Sequence, residues 1–502
     1  MPLSSDDCLF INIWTPYLPS TGTKSLSKVA LKPVLVYLYG GAFQFGSGKD
    51  PNFDLTNIAS RGDVVAITIN YRLGNAGMLV FKDGIHRGNY PINDQISGLK
   101  WVSENIAAFG GDPNKVTILG ESAGAMSVRY LMASPEAKGL FHGVMLQSDG
   151  NEGIAAAAGR FWSIEQSYEY FTKNVLELVG CADAEDELTC LREVPGVILS
   201  GLPENRSIAN VAVIDGKYLT TPFLPVDGSG FAQDIPVLGG VVRDEIAIFD
   251  ILQNQIYWPA VTFEIWVGFL CLYQDFLRVS PASILNSLPL WNLTPQSNYT
   301  QLFNATSKIL TDNVYVCTEQ ARAYSGVKNG AFKRVYAFNA YRTYSAPTIT
   351  APYCNAPVTA DHPFGDPSLE YYKCHASTQT TMFGNYARMG MPERDEFDLP
   401  FSQLMVDYWA SFVRSGDPNP DHAWLAARGF ASTLAEVKRV GVWSEVDASS
   451  PEWMILEWGG HMAPFGKEAE CKALGQPLTY WEDPAPGPNP PSDICSFLGG
   501  DQ

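Results

Sequence analysis

The most constraining feature of the chain is the segment VTILGESAGAMSV, which begins at Val116 and passes from a β-branched run straight into a helix-forming one. Between the two lies Gly120-Glu121-Ser122-Ala123-Gly124, a G-x-S-x-G pattern. The pattern alone is short enough to arise by chance, so its place between strand and helix is what gives it meaning. The glycines permit a sharp strand-to-helix turn that lifts a serine hydroxyl above the edge of a sheet. The helix that follows points its N-terminal amides at the same spot. A nucleophilic Ser122 is predicted, against the alternative of an ordinary glycine-rich turn.

The same alternation extends over the chain. Candidate strands are LFINIWTP from Leu9, VLVYLYG from Val34, VVAITINY from Val64, VTILG from Val116 and GVMLQS from Gly143. PVLGGVV from Pro236, RVYAFNA from Arg334 and EWMILEW from Glu452 complete the set. Helical spacing covers DQISGLKWVSENIAAFG from Asp94 and AGAMSVRYLMAS after Ser122. Short apolar strands alternating with helices predict an α/β fold with a central, mostly parallel sheet flanked by helices. We expect one domain over 1–502, with a mostly helical, cap-like insertion at 151–330 and a proline-rich terminal arm at 484–502. The apolar stretch from Ile256 is interrupted by Pro259 and Glu264 and reads as a buried or pocket-lining helix rather than a membrane span. A net charge of −19 argues against nucleic acid and anionic membranes as partners.

A serine nucleophile needs hydrogen-bond donors for the oxyanion and a histidine held by an acid. The loop YLYGGAFQFGSG supplies small residues at Gly40-Gly41-Ala42, and the expected donors are the N–H groups of Gly41, Ala42 and Ala123. A phosphate-binding loop is the rival, but no Lys-Ser/Thr pair follows. Behind an elbow of this kind the partners come in the order serine, acid, histidine. Of six histidines, His86 and His142 come too early, which leaves His362, His375, His422 and His461. No histidine cluster has metal-ligand spacing, and no cofactor is implied.

Segments spread over most of the chain resemble the type-B carboxylesterases, the family of cholinesterases and fungal lipases. They are DDCLFINIWTP, VLVYLYGGAFQFGSG, ITINYRLG, GNYPINDQISGLKWVSENIAAFGGDPNKVTILGESAG and GVMLQSDG, then PVLGGVVRDEIAIF, CHASTQTTMFG and YWASFVRSGDPNP. The resemblance implies an α/β-hydrolase fold and a Ser-His-Glu triad. It points to Glu245 rather than Asp244 as the acid, and to His375, followed at the family's interval by Phe383 and Gly384, as the base. Ala376 stands where the family usually has Gly, and Thr378 where it has Glu. His362, in ADHPFGD, is the competitor. Ser148 resembles a family serine near the acid, where it either orients that acid or is a plain strand-end hydroxyl.

Nine cysteines and the sequons at Asn205, Asn292, Asn298 and Asn304 favour an oxidising, secretory route with N-glycans. No signal peptide is visible in MPLSSDDCLF. Spacing suggests the pairs Cys181–Cys190, Cys354–Cys374 and Cys471–Cys495, while Cys8 has no obvious partner and Cys271 or Cys317 is expected to be free as well. Relatives carry a long segment ahead of the DDCLFINIW equivalent, including a cysteine that pairs with the counterpart of Cys8. Its absence predicts an exposed sheet edge and reduced stability. The substrate implied is a small or lipid-like carboxylic ester with an apolar acyl or alcohol group. The alternatives are a non-catalytic binding or adhesion relative and an inactive truncated one. The sequence does not distinguish oligomeric states.

Overall fold

The computed structural model describes residues 7–19, 30–150, 161–203, 208–248, 258–272, 274, 280–347, 352–482 and 495. Asn205 and, apart from Cys495, the proline-rich arm lie outside them.

Nine strands form one sheet: β1 (Ile11–Trp14), β2 (Lys32–Leu38), β3 (Val65–Ile69), β4 (Gly111–Glu121), β5 (Gly143–Gln147), β6 (Pro236–Val242), β7 (Arg334–Ala340), β8 (Glu452–Leu456) and β9 (His461–Pro464). Their spatial order is β1-β3-β2-β4-β5-β6-β7-β8-β9. Every pairing from β3 to β8 is parallel, and only the two edges are antiparallel. The central strands are apolar along their length because helices cover both faces: Val34 to Leu38 are all buried, as are Val65 to Ile69. At the β1 edge, Leu9 and Phe10 are more than half exposed.

Helix α1 (Tyr90–Asn105) buries Ile92, Ile96, Leu99 and Val102, the 3–4 spacing of one helical face. It starts four residues before the predicted Asp94 because Pro91 is tolerated in a first turn, where its missing N–H has no intrahelical partner. Helix α2 (Ala123–Ala133) follows β4 without a linker. Between β5 and β7, apart from β6, the described residues form mostly short helices and turns. One of these helices, α3 (Phe263–Leu272), buries Trp266, Leu270 and Cys271 and exposes Ile265 and Leu272. Among the described residues no helix is long and apolar enough to cross a membrane. Beyond α3, helix α4 (Tyr299–Thr311) runs through a π-helical turn (Asp312–Val316) into α5 (Cys317–Lys328).

The structure corrects the cysteine pairing. Cys181–Cys190 and Cys354–Cys374 form as expected, but Cys471 bonds Cys317 and Cys495 bonds Cys271. Cys471 and Cys495 are neighbours only in sequence. Cys471 sits on α6 (Glu468–Ala473), which packs against the π-helical turn just before Cys317, while Cys495 reaches the C-terminal end of α3. Cys8 takes part in none of these four bonds.

Candidate active site

The predicted site residues all stand beyond the carboxyl ends of neighbouring strands, where open α/β sheets present their loops. Register brings them level: Glu121 of β4 pairs with Gln147 of β5, which pairs with Gly240 of β6. Ser122 turns the chain at φ 58° and ψ −126°, a left-handed conformation that costs a side-chain-bearing residue roughly 1–3 kcal/mol. Its N–H donates to Gln147 O at 3.0 Å. The flanking glycines make the turn possible by close approach. A Cβ on Gly120 would lie 2.0 Å from Gly124 O, and one on Gly124 would lie 1.9 Å from Leu38 O.

The loop after β2 folds against this elbow. A Cβ on Gly40 would sit 2.9 Å from Ser122 Cβ. Gly41, Ala42 and Phe43 all have positive φ, and Gly41 O accepts from the N–H groups of Gln44 and Phe45. Below the loop, Tyr39 and Tyr71 stack at 4.5 Å, and the Tyr71 hydroxyl donates to Tyr39 O. Ala123 is the first residue of α2, and first-turn N–H groups have no carbonyl of their own helix to bond. Gly41, Ala42 and Ala123 therefore bring backbone amides to the neighbourhood of Ser122.

Glu245, fully buried after β6, accepts from Val242 N–H at 2.8 Å through Oε1 and lies 2.6 Å from His375 Nδ1 through Oε2. Asp244 turns elsewhere, accepting from Lys373 N–H and the Arg243 guanidinium. Two backbone hydrogen bonds clamp these segments together, Asp244 N–H to Lys373 O and His375 N–H to Glu245 O. The Cys354–Cys374 disulfide anchors the residue next to the histidine. His362 is half-exposed in a separate loop, with Nδ1 3.3 Å from Asp366. Among the described residues no hydrogen bond joins the Ser148 hydroxyl to Glu245, and the Ser148 N–H donates to Gly240 O.

Two residues near the imidazole were not singled out by the sequence reading. Glu121, the first variable position of G-x-S-x-G, is buried with Oε1 3.4 Å from His375 Nε2, and its Oε2 accepts from the Gln379 amide at 2.6 Å. Tyr315, on the π-helical turn, sets its ring 5.2 Å from the imidazole. An acid directly before the elbow serine was the available signal for Glu121. Tyr315 had none, because a π turn is not visible in residue spacing. Burial of His375 opposes its charged form, but the Glu121 and Glu245 carboxylates and the hydrogen bond to Glu245 outweigh it and push the imidazole up to about 9. Burial likewise holds the Glu121 carboxyl above its ordinary range, with the imidazolium pulling the other way. Among the described residues no cluster of three or more His, Cys, Asp or Glu side chains could hold a metal ion.

A mostly parallel sheet with a serine on a strand-to-helix elbow and a histidine–carboxylate pair beside it defines a hydrolase of the α/β-hydrolase class. The chain belongs to the carboxylesterase family, whose model matches residues 2–472, and it is a serine carboxylesterase. It is similar to bile salt-activated lipase of Mus musculus, 29% identical over 481 residues that cover 90% of this chain and 73% of that protein. Esterase E4 of Myzus persicae is 30% identical over 451 residues, 84% of this chain and 75% of its own. Para-nitrobenzyl esterase of Bacillus subtilis is 35% identical over 267 residues, 51% of each chain. The four disulfides are consistent with an extracellular protein.

Proposed function

We propose that the protein hydrolyses carboxylic esters with an apolar acyl or alcohol group through a Ser122–His375–Glu245 triad. Ser122 Oγ attacks the ester carbonyl carbon as His375 takes its proton, and the new oxyanion is held by the N–H groups of Gly41, Ala42 and Ala123. The C–O bond to the alcohol then breaks, and His375 returns the proton to the departing oxygen. Water, deprotonated by the same imidazole, attacks the acyl-enzyme and releases the acid with Ser122 restored. Glu245 holds the ring and balances its charge.

The observation that carries this reading is the buried 2.6 Å contact between His375 Nδ1 and Glu245, on a ring whose other nitrogen faces the residue preceding Ser122. The test is hydrolysis of p-nitrophenyl esters from acetate to palmitate by wild type, Ser122→Ala, His375→Ala and His362→Ala. Loss on the order of a million-fold is expected for the first two variants and little change for His362→Ala. Retention of most activity by His375→Ala would overturn the triad assignment. The chain-length optimum separates an esterase from a lipase.

A further inference from the structure

One sequon bears on a part of the molecule that ester hydrolysis leaves unused. Asn304-Ala305-Thr306 lies on α4, with Asn304 exposed at the wall of a cavity of about 1060 Å³. This cavity is lined by neither Ser122 nor His375. It is bounded by α4, by the loop around Tyr353, and by the ends of β7, β8 and β9.

The lining describes its occupant. Three basic side chains (Arg243, Lys308, Lys467) meet three acidic ones (Asp244, Asp312, Glu370), so no net charge selects an ion. Arg243 is paired with Asp244 and Glu370, and Lys467 with Asp312. Tyr353 and Tyr372 offer aromatic surfaces beside Asn304, each about 6 Å from the Phe303 ring. At the cavity's base Asn339, 5% exposed, has a side-chain oxygen with no hydrogen-bond partner among the described residues. A buried acceptor without a donor is costly, and an occupant carrying O–H or amide N–H groups would satisfy it. A neutral, hydroxyl-rich ring with one apolar face suits all of these features. Asn304 itself is already oriented: the Tyr372 hydroxyl donates to its Oδ1, which leaves Nδ2 as the open atom.

We propose that Asn304 carries an N-linked glycan whose first sugars, N-acetylglucosamine in class, seat in this cavity. The donor is a lipid-pyrophosphate-linked oligosaccharide. The Nδ2–C1 bond forms as the C1–O bond to the pyrophosphate breaks, and the amide gives up one proton to base. The seat adjoins the triad supports. Asp244 precedes Glu245, and Tyr372 lies three residues before His375, so a seated glycan braces both segments from behind. Asn298, the N-cap of α4 and equally part of a sequon, does not line the cavity and serves as an internal control.

The test is secretion of the whole chain from a eukaryotic host behind a supplied leader. Glycopeptide mass spectrometry then reads occupancy, and peptide N-glycosidase release is timed on native and denatured protein. Asn304 is expected to be occupied, with release at least tenfold slower from native than from denatured protein. Tyr353→Ala, at a half-exposed position, is expected to speed native release several-fold. An unmodified Asn304 in the secreted protein, native release as fast as denatured, or no effect of Tyr353→Ala would each overturn the proposal. None of these readouts depends on esterase activity.

Discussion

Replacing Glu121 with Gln tests the electrostatics of the site more sharply than removing the nucleophile. The side chain keeps its shape, and its amide oxygen still accepts from Gln379, but the negative charge 3.4 Å from His375 Nε2 is gone. Coulomb's law at that distance gives roughly 1 kcal/mol for a water-like dielectric and about 5 kcal/mol for an effective value near 20. At 1.36 kcal/mol per unit this corresponds to roughly one to three and a half pH units. The sign follows from the base role. His375 must be neutral to accept the Ser122 proton, and with the imidazole near 9 its neutral fraction grows as pH rises through that value. Wild-type kcat/KM should therefore climb toward an alkaline plateau. Loss of the Glu121 charge lowers the imidazole pKa, so the limb moves to lower pH. The plateau itself falls, because the imidazolium of the transition state loses a stabilising neighbour. The assay is kcat/KM for p-nitrophenyl butyrate between pH 5 and 10, run on both proteins. A limb that stays in place, or moves to higher pH, would refute the assignment of Glu121 as the group that raises His375.

Two further outcomes concern the frame of the site. Gly124→Ala places a methyl group 1.9 Å from Leu38 O, a backbone clash that no side-chain movement relieves. We expect a loss of several kcal/mol or failure to fold, read by denaturant melts, while Ala125→Gly one position along should cost only about 1 kcal/mol. Non-reducing peptide mapping should yield the cross-linked pairs Cys317–Cys471 and Cys271–Cys495, and recovery of a Cys471–Cys495 peptide would contradict the fold of the C-terminal third.

The sheet was legible because its central strands are buried on both faces and so appear as continuous β-branched runs, such as VLVYL and VAITI. The strand His461–Pro464 escaped because it is a short, half-exposed edge strand, HMAP, with little apolar pattern to detect. The serine elbow was legible for a steric reason, since only glycine fits at 120 and 124. The Ala376 departure from the resemblance carries a backbone cost. Its φ is 64°, the left-handed region that glycine enters freely and alanine enters at a cost of roughly 1–2 kcal/mol. Thr378 is buried where the family usually has Glu, and the neighbouring Gln379 amide reaches Glu121 instead. Spacing could not supply the disulfide partners. Cysteines far apart in the chain meet only after α3 and the helices around the π turn have packed.

Those bonds have an order to them. Cys271–Cys495 encloses Cys317–Cys471, which encloses Cys354–Cys374, so the three are nested like parentheses and none crosses another. Each inner closure shortens the path that the next must bridge. With the 154-residue middle loop already shut, the outer pair is separated by an effective path of about 70 residues rather than 224, which lowers its closure cost by about 1 kcal/mol. Oxidation can therefore proceed from the inside outward without threading one loop through another. A protease that nicks the chain once between Cys374 and Cys471 leaves two pieces still joined through both outer bonds. For this protein, a single band under non-reducing conditions would be no proof of an unbroken chain.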